Sequence, residues 1–392
     1  MSSFPVSVAS RREFLRTLSL GAGATTLLGG AALASPLGLL APPERKLGVA
    51  LLGLGLYSTG QLAPALQQTK YCRLAGIVTG SPAKAKQWQQ QYSLADKNIY
   101  DYKTFDHIAD NPDIDIVYVV TPNALHAEFA VRAAQAGKHV ICEKPMATSV
   151  ADARRMIAAS QQAGKKLSIG YRLHFEPHNL AMMRLGQQQA YGPIKRLVAD
   201  NGFRFNNHTP WRVSKSLAGG GPLMDMGIYC LQGCLYIKGQ VPIAITAKLA
   251  PETGTGYFKE VEAGVDWQLQ FADGTVADCR TSYAQDMPGR LRAETARDWF
   301  ELAPAFGYGG LAGTTSRHDG KLDLPNINQQ AAQMDDFAQC VLLNKPTRVP
   351  GEMGLRDVQL LEAIYRAAAT GQKVSTKDVV KLVDHPGLGV AR

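Results

Sequence analysis

Several features are scarce in this 392-residue chain, and each scarcity closes off a class of function. The six cysteines, Cys72, Cys142, Cys230, Cys234, Cys279 and Cys340, form no CxxC pair and keep no zinc-like spacing, so no metal site is expected. They read as buried thiols. A disulfide stays open, although Cys230 and Cys234 lie one turn apart on an expected helix and are badly placed to bridge. No cysteine precedes Cys72, which argues against lipidation near the N-terminus. The net charge is +9, yet lysines and arginines are scattered among acids without a run or stripe, so nucleic acid is not an expected partner. Long apolar runs are also wanting. Residues 18–33 fall short of the ~20 that a spanning helix needs, and Gly21, Gly23, Gly29 and Gly30 interrupt them, so no stable membrane anchor is expected.

What is present at the N-terminus is a pair of arginines, Arg11-Arg12, followed by that apolar stretch and by the small residues Ala32-Leu33-Ala34. This is the order of a cleavable signal, and the paired arginines point to export of an already folded protein by the twin-arginine machinery, a transient partner. Cleavage is expected near Ala34 and a periplasmic location follows. Hydrophobic residues make up 45% of the chain, enough for real cores, and the length suits two domains of about 150 residues each.

The texture changes once along the chain. Between residues 46 and 170, short β-rich runs (47–52, 74–79, 116–120, 139–142, 167–169) alternate with amphipathic stretches (81–91, 124–136, 149–163) long enough for crossover helices, which predicts a parallel doubly wound sheet. After Tyr171 one helix, 223–237, precedes alternating segments at 243–249, 265–271 and 276–282 and a last helix at 355–369, with turns such as Asp273-Gly274 between them. The expected organisation is therefore a signal (1–34), a short arm (35–45), an N-terminal α/β dinucleotide-binding domain of Rossmann type (46–170), and a C-terminal α+β domain (171–392) with a large, mainly antiparallel open sheet for substrate binding and oligomerisation.

Gly53-Leu54-Gly55-Leu56-Tyr57-Ser58 closes the first expected strand and opens a helix. Gly53 allows the tight turn, Gly55 lets the backbone approach a pyrophosphate, and the helix N-terminus offers amides to it. Ser58 occupies the third position, where Gly or Ala is usual. An acid about 20 residues further on would hold a ribose 2′-hydroxyl, but no Asp or Glu occurs from residue 47 to 95. The second strand instead ends at Thr79, with Lys84 and Lys86 beyond, a set that suits a 2′-phosphate and favours NADP; a solvated lysine face is the plainer alternative. Glu143-Lys144-Pro145 ends another strand at the carboxyl edge, where ligands bind, and Pro145 restricts Lys144 to an extended backbone. After Gly219-Gly220-Gly221, Asp225 and Tyr229 stand at i and i+4 on one helix face. An ammonium near the phenol would make Tyr229 a proton carrier; helix-dipole and packing roles are the alternative.

With Thr121-Pro122-Asn123 followed by His126, and Gly170-Tyr171-Arg172-Leu173-His174, these motifs resemble the glucose-fructose oxidoreductase and inositol dehydrogenase family over nearly all of the chain from Leu47 onward. Tyr229 stands where the broader family has His and resembles the glucose-fructose oxidoreductase branch. The resemblance implies that Gly53, Leu54, Gly55 and Ser58 surround the pyrophosphate, that Thr79, Lys84 and Tyr102 meet the 2′-phosphate, and that Pro122, Asn123, His126, Glu143 and Lys144 line the path to the nicotinamide. It also implies that Lys144, Asp225 and Tyr229 meet a sugar and that Tyr229 exchanges its proton. Arg172, His174, Trp211 and Arg212 are candidates for the pocket wall, with packing as the alternative for each. The implied activity is oxidation of an aldose to its lactone and reduction of a second sugar on retained NADP, by a homodimer or homotetramer. The namesake branch carries a long arm over the adenine, whereas only residues 35–45 stand here. Alternatives are a sugar dehydrogenase with exchangeable cofactor, a nicotinamide-dependent glycoside hydrolase, which would keep His at position 229, and a sugar-binding protein without catalysis.

Overall fold

The structure is a computed structural model and describes residues 45–206, 209–251, 256–317 and 320–380. The expected signal with its cleavage site, and all of the arm but Arg45, lie outside the described residues. Among the described residues no helix is long and apolar enough to cross a membrane, and no cluster of His, Cys, Asp or Glu could hold a metal.

The first sheet is parallel and follows the order β3-β2-β1-β4-β5-β6, with β1 (Leu47–Leu52), β2 (Cys72–Val78), β3 (Ile99–Tyr100), β4 (Ile116–Val119), β5 (His139–Cys142) and β6 (Leu167–Ile169). Every residue of β1 is buried, as a strand covered by helices on both faces requires. β1 pairs with β2 on one side and β4 on the other, so the strand order reverses beside it and opens a crevice at its carboxyl end. Helix α1 (Ser58–Leu62, continued by Ala63–Leu66) leaves that crevice. Helices α2 (Pro82–Tyr92), α3 (His126–Gln135) and α4 (Val150–Gln162) are the other crossovers. Ser81 and Ser149 cap α2 and α4 by accepting backbone N–H bonds from Lys84 and Asp152.

The second sheet has nine strands in the order β14-β13-β12-β11-β7-β10-β9-β8-β15. These are β7 (Arg196–Gly202), β8 (Ala244–Leu249), β9 (Gly264–Gln270), β10 (Val276–Ser282), β11 (Arg290–Glu294), β12 (Trp299–Leu302), β13 (Gly313–Thr315), β14 (Lys321–Leu322) and β15 (Val374–Ser375). All its pairings are antiparallel except β7 with β10. Helices α5 (Pro177–Gln187) and α6 (Ile228–Lys238) pack on one face.

Helix α7 (Gln329–Leu342) departs from the expected division at residue 170, because it returns to the first sheet. Met334, Phe337 and Ala338 share a core with Leu51 and Ile77 of that sheet, and Asp335 accepts from the Lys70 and Tyr71 amides. Helix α8 (Gly351–Thr370) packs on both β6 and β8 and so joins the two sheets.

Candidate active site

β1 runs into the Gly53-Leu54-Gly55 loop, and the two glycines serve different ends. Gly53 has φ +99°, and a Cβ there would meet the Val120 carbonyl oxygen at 2.7 Å, so the turn itself demands glycine. At Gly55 a Cβ would meet nothing within 4 Å: the protein leaves open space where the backbone faces the crevice. Ser58 is buried and donates to the Gly53 carbonyl (2.6 Å), which explains a hydroxyl at the third position. Leu54 is buried, and its carbonyl accepts from Lys84 Nζ (3.0 Å). Lys84 thereby bridges the start of α2 to the dinucleotide loop. Thr79 lies beside it at the end of β2, accepting from the Ser81 amide (3.3 Å), and the Tyr102 ring closes over Gly80. A pyrophosphate fits the open cradle at Gly55, and the hydroxyl and ammonium of Thr79 and Lys84 fit a 2′-phosphate; no carboxylate between residues 47 and 95 opposes one.

β5 delivers Glu143 and Lys144 to the same edge. Glu143 is buried and accepts from the phenol of Tyr118 on β4 (2.8 Å), which in turn accepts from Gln333 of α7 (2.8 Å). Burial pushes the Glu143 carboxyl up, and the Tyr118 hydroxyl and Lys144 partly offset that. Gly170 makes room for the carboxylate, since a Cβ there would stand 2.5 Å from Glu143 Oε1.

Lys144 reaches across to the second domain. Its Nζ donates to the Asp225 backbone carbonyl (2.7 Å) and Oδ1 (3.1 Å), while Arg212 Nε lies 3.3 Å from Oδ2 and the Tyr283 phenol donates to Oδ2 (2.8 Å). Burial alone would raise the Asp225 carboxyl, but Arg212 and Lys144 overcome it and hold the group far below the usual carboxylate range. Burial likewise works against the Lys144 charge, and Tyr229, Asp225 and Glu143 override it and raise its pKa. Asp225 sits in a π-helical turn, Leu223–Gly227, ahead of α6, a widened geometry that often occurs at functional sites.

Lys144 Nζ lies over the Tyr229 ring, 4.7 Å from its centroid. The Arg172 guanidinium lies 5.2 Å from the same centroid.

Arg212, which stacks on Trp211 (5.3 Å), belongs to the cluster. Arg172 adjoins it, but its N–H groups also go to the Phe306 and Gly307 carbonyls and to Gln329. His174 sits deeper. It is buried beneath Tyr229, in a small pocket that also includes Lys144, Tyr171 and Gln232, and its Nε2 meets Gln232 Oε1 (2.8 Å). Pro122 begins the turn after β4. Asn123 donates to the Ala218 carbonyl (2.9 Å), and the buried His126 ring lies against the Pro145 (2.8 Å) and Thr121 (2.9 Å) carbonyls. Sequence reading missed Tyr118, Tyr283, Gln333 and Tyr308, which reach the site only through tertiary packing and carry no local motif, and it gave no role to Tyr57, although Tyr57 lies within the dinucleotide loop.

Comparison with known proteins agrees with this arrangement. Residues 47–171 match the oxidoreductase family with an NAD-binding Rossmann fold, residues 180–297 the GFO/IDH/MocA C-terminal domain, and residues 314–376 the oxidoreductase family C-terminal alpha/beta domain. The crystal structure of aldose-aldose oxidoreductase from Caulobacter crescentus, complexed with glycerol, superposes with a TM-score of 0.81 at 43% identity, covering 84% of this chain and 100% of that one. D-xylose 1-dehydrogenase [NADP(+)] of Haloarcula marismortui is 27% identical over 83% of this chain and 92% of its own length. D-glucoside 3-dehydrogenase of Escherichia coli is 26% identical over 82% and 97%. With both domains matched and a dinucleotide cradle facing the Lys144, Asp225 and Tyr229 cluster, the chain is an oxidoreductase of the GFO/IDH/MocA family.

Proposed function

We propose that this chain is an exported sugar oxidoreductase that keeps NADP bound, oxidises an aldose to its lactone and then reduces a second sugar, a ketose or another aldose, in a ping-pong cycle. The observation that carries the reading is the Lys144 ammonium, bonded to Asp225 and seated over the Tyr229 ring, at the edge of the sheet that holds the dinucleotide loop. The relatives whose names specify an aldose, a glucoside or NADP support the substrate class and the cofactor.

Gly53, Gly55 and Ser58 would hold the pyrophosphate, Thr79 and Lys84 the 2′-phosphate, and Glu143 and Lys144 the nicotinamide end. Bound NADP would supply the acceptor, and after the first half-reaction the donor, of hydride. Asp225, kept ionised, and Lys144, kept cationic, orient the sugar hydroxyls between them. The Tyr229 phenolate takes the proton from the hydroxyl being oxidised, and the phenol so formed returns it to the carbonyl oxygen being reduced. Recycling the cofactor in place removes the need for a nucleotide supply outside the cytoplasm.

Mature protein recovered from the periplasmic fraction, sized by light scattering and then denatured, should be a dimer or tetramer that releases NADP detectable by mass spectrometry. The intact protein should turn over glucose with fructose, or paired aldoses, without added nucleotide. Tyr229→Phe should lower turnover at least a hundredfold, the ordinary scale of general acid–base catalysis, while NADP stays bound. Strict dependence on added NADP would instead favour a dehydrogenase with exchangeable cofactor. Unchanged turnover in Tyr229→Phe would remove the proton-carrier role.

A further inference from the structure

The segment between β12 and β13 holds an aromatic side chain that none of the roles above uses. Its base is firmly tied. Ala303 N–H donates to the Ala312 carbonyl (2.9 Å) and Ala305 N–H to the Gly289 carbonyl (2.6 Å), while Ala305 and Phe306 are buried. Arg172 donates to the Phe306 (2.6 Å) and Gly307 (2.9 Å) carbonyls, and Gln329 also donates to Gly307 (3.2 Å). Past that anchor the chain reads Gly307-Tyr308-Gly309-Gly310, and Gly310 has φ +65°.

Tyr308 stands at the tip and is 50% exposed, so burial in its own domain does not account for it. Its ring has two neighbours of a different kind. The Tyr57 ring lies 5.7 Å away between centroids, inclined by 33°, and the Arg172 guanidinium lies 4.5 Å from the Tyr308 centroid. Tyr57 belongs to the dinucleotide loop, between Gly55 and Ser58. The contact therefore joins the loop that cradles the pyrophosphate to a glycine-flanked tip of the other domain. Arg172 is common to both sides of this join, since it faces the Tyr308 ring and also the Tyr229 ring. Tyr57 and Tyr308 both lie within electrostatic reach of Glu143 and Tyr229, which puts the pair at the nicotinamide end of the crevice.

We propose that Tyr308, seated on Tyr57 and backed by Arg172, is a cofactor-retention residue: the two rings form a clasp across the crevice, and the dinucleotide leaves only when the 308–310 tip lifts away. The inference rests on the NADP reading above. It places retention at the nicotinamide end, through two aromatic rings, and needs no contribution from the short stretch ahead of β1. The tip is suited to this, because glycines on either side of Tyr308 let it move while the Arg172 bonds hold its base.

Release kinetics test it. The purified protein is stripped with charcoal and reloaded with NADPH, excess NADP is added, and the fluorescence of bound NADPH is followed. Tyr308→Ala and Tyr57→Ala should each speed release about three- to tenfold, the scale of one aromatic contact. The double variant should be no faster than the faster single, since both remove the same contact. Tyr308→Phe, which keeps the ring, should release at close to the wild-type rate and guards against a folding defect in the alanine variant. Wild-type release from Tyr308→Ala, or multiplied effects in the double variant, would overturn the clasp. A wild-type protein that takes up no NADPH at all would overturn the NADP reading itself, a result that cannot be mistaken for a failed clasp.

Discussion

At the scale of single residues, the two glycines of the dinucleotide loop separate folding from binding. Gly53 is required by the backbone, whereas Gly55, whose Cβ would meet no protein atom within 4 Å, is assigned by the proposed function to the approach of a pyrophosphate. Gly53→Ala forces a side chain into positive φ and against the Val120 carbonyl, so it should cost about 1–3 kcal/mol of stability, read as a lower urea midpoint. Gly55→Ala meets no protein atom, so its urea midpoint should shift by no more than about 0.5 kcal/mol while titrated NADP affinity falls. Equal effects of the two on stability would remove the binding role given to Gly55. The cluster around Asp225 shows the complementary economy: one carboxylate accepts from Lys144 and Tyr283 and pairs with Arg212, so a buried charge is matched on both oxygens.

At the scale of elements, legibility followed length and burial. β1 and β5 were read at their observed bounds because they are continuous apolar runs covered on both faces. β3, β14 and β15 have two residues each, too few to show a period. β7 ends in Asp200-Asn201-Gly202, which reads as a turn although these residues are buried and paired with β10. Helix α7 carries Gln329, Gln330 and Gln333 on buried positions beside the apolar Met334, Phe337 and Ala338, and nothing in that mixture says that it returns to the first sheet. The site followed the same division. Lys144, Asp225 and Tyr229 stand in local motifs, whereas Tyr118, Tyr283 and Tyr308 come together only by folding. One junction that sequence does not reveal is the crossing of α5 and α6, where a Cβ on Gly186 would stand 2.4 Å from the Ile237 carbonyl oxygen. Gly186→Ala should push the helices apart and cost about 1–3 kcal/mol, with the denaturant slope unchanged. An unaltered urea midpoint would show that the crossing is looser than its geometry.

At the scale of the whole molecule, three histidines couple stability to pH. Burial, helped by Lys165 and Lys166, pushes the half-buried His139 down to about 4; burial, with Arg356 and Arg348 nearby, does the same to His174, and burial outweighs the Pro145 and Thr121 carbonyls to do so at His126. Hydrogen bonding agrees with neutral rings at the first two: the Lys166 amide donates to His139 Nδ1 (3.1 Å), and His174 meets Gln232 through Nε2 while its Nδ1 has no partner. In the unfolded chain all three titrate near ~6.5, so between about pH 4 and 6.5 the unfolded state binds more protons on them and stability falls as pH falls. The histidines' share of the pH dependence of the unfolding free energy should approach three protons in that window, and His174→Gln should remove about one. A flat profile from pH 5 to 7 would contradict this. The bridge from Lys84 to the Leu54 carbonyl has a consequence for redesign. A mutation meant to convert the enzyme to the unphosphorylated coenzyme by removing that cation would also cut a strut beneath the glycine turn, so a switch of coenzyme preference and a loss of grip on either coenzyme would be inherited together.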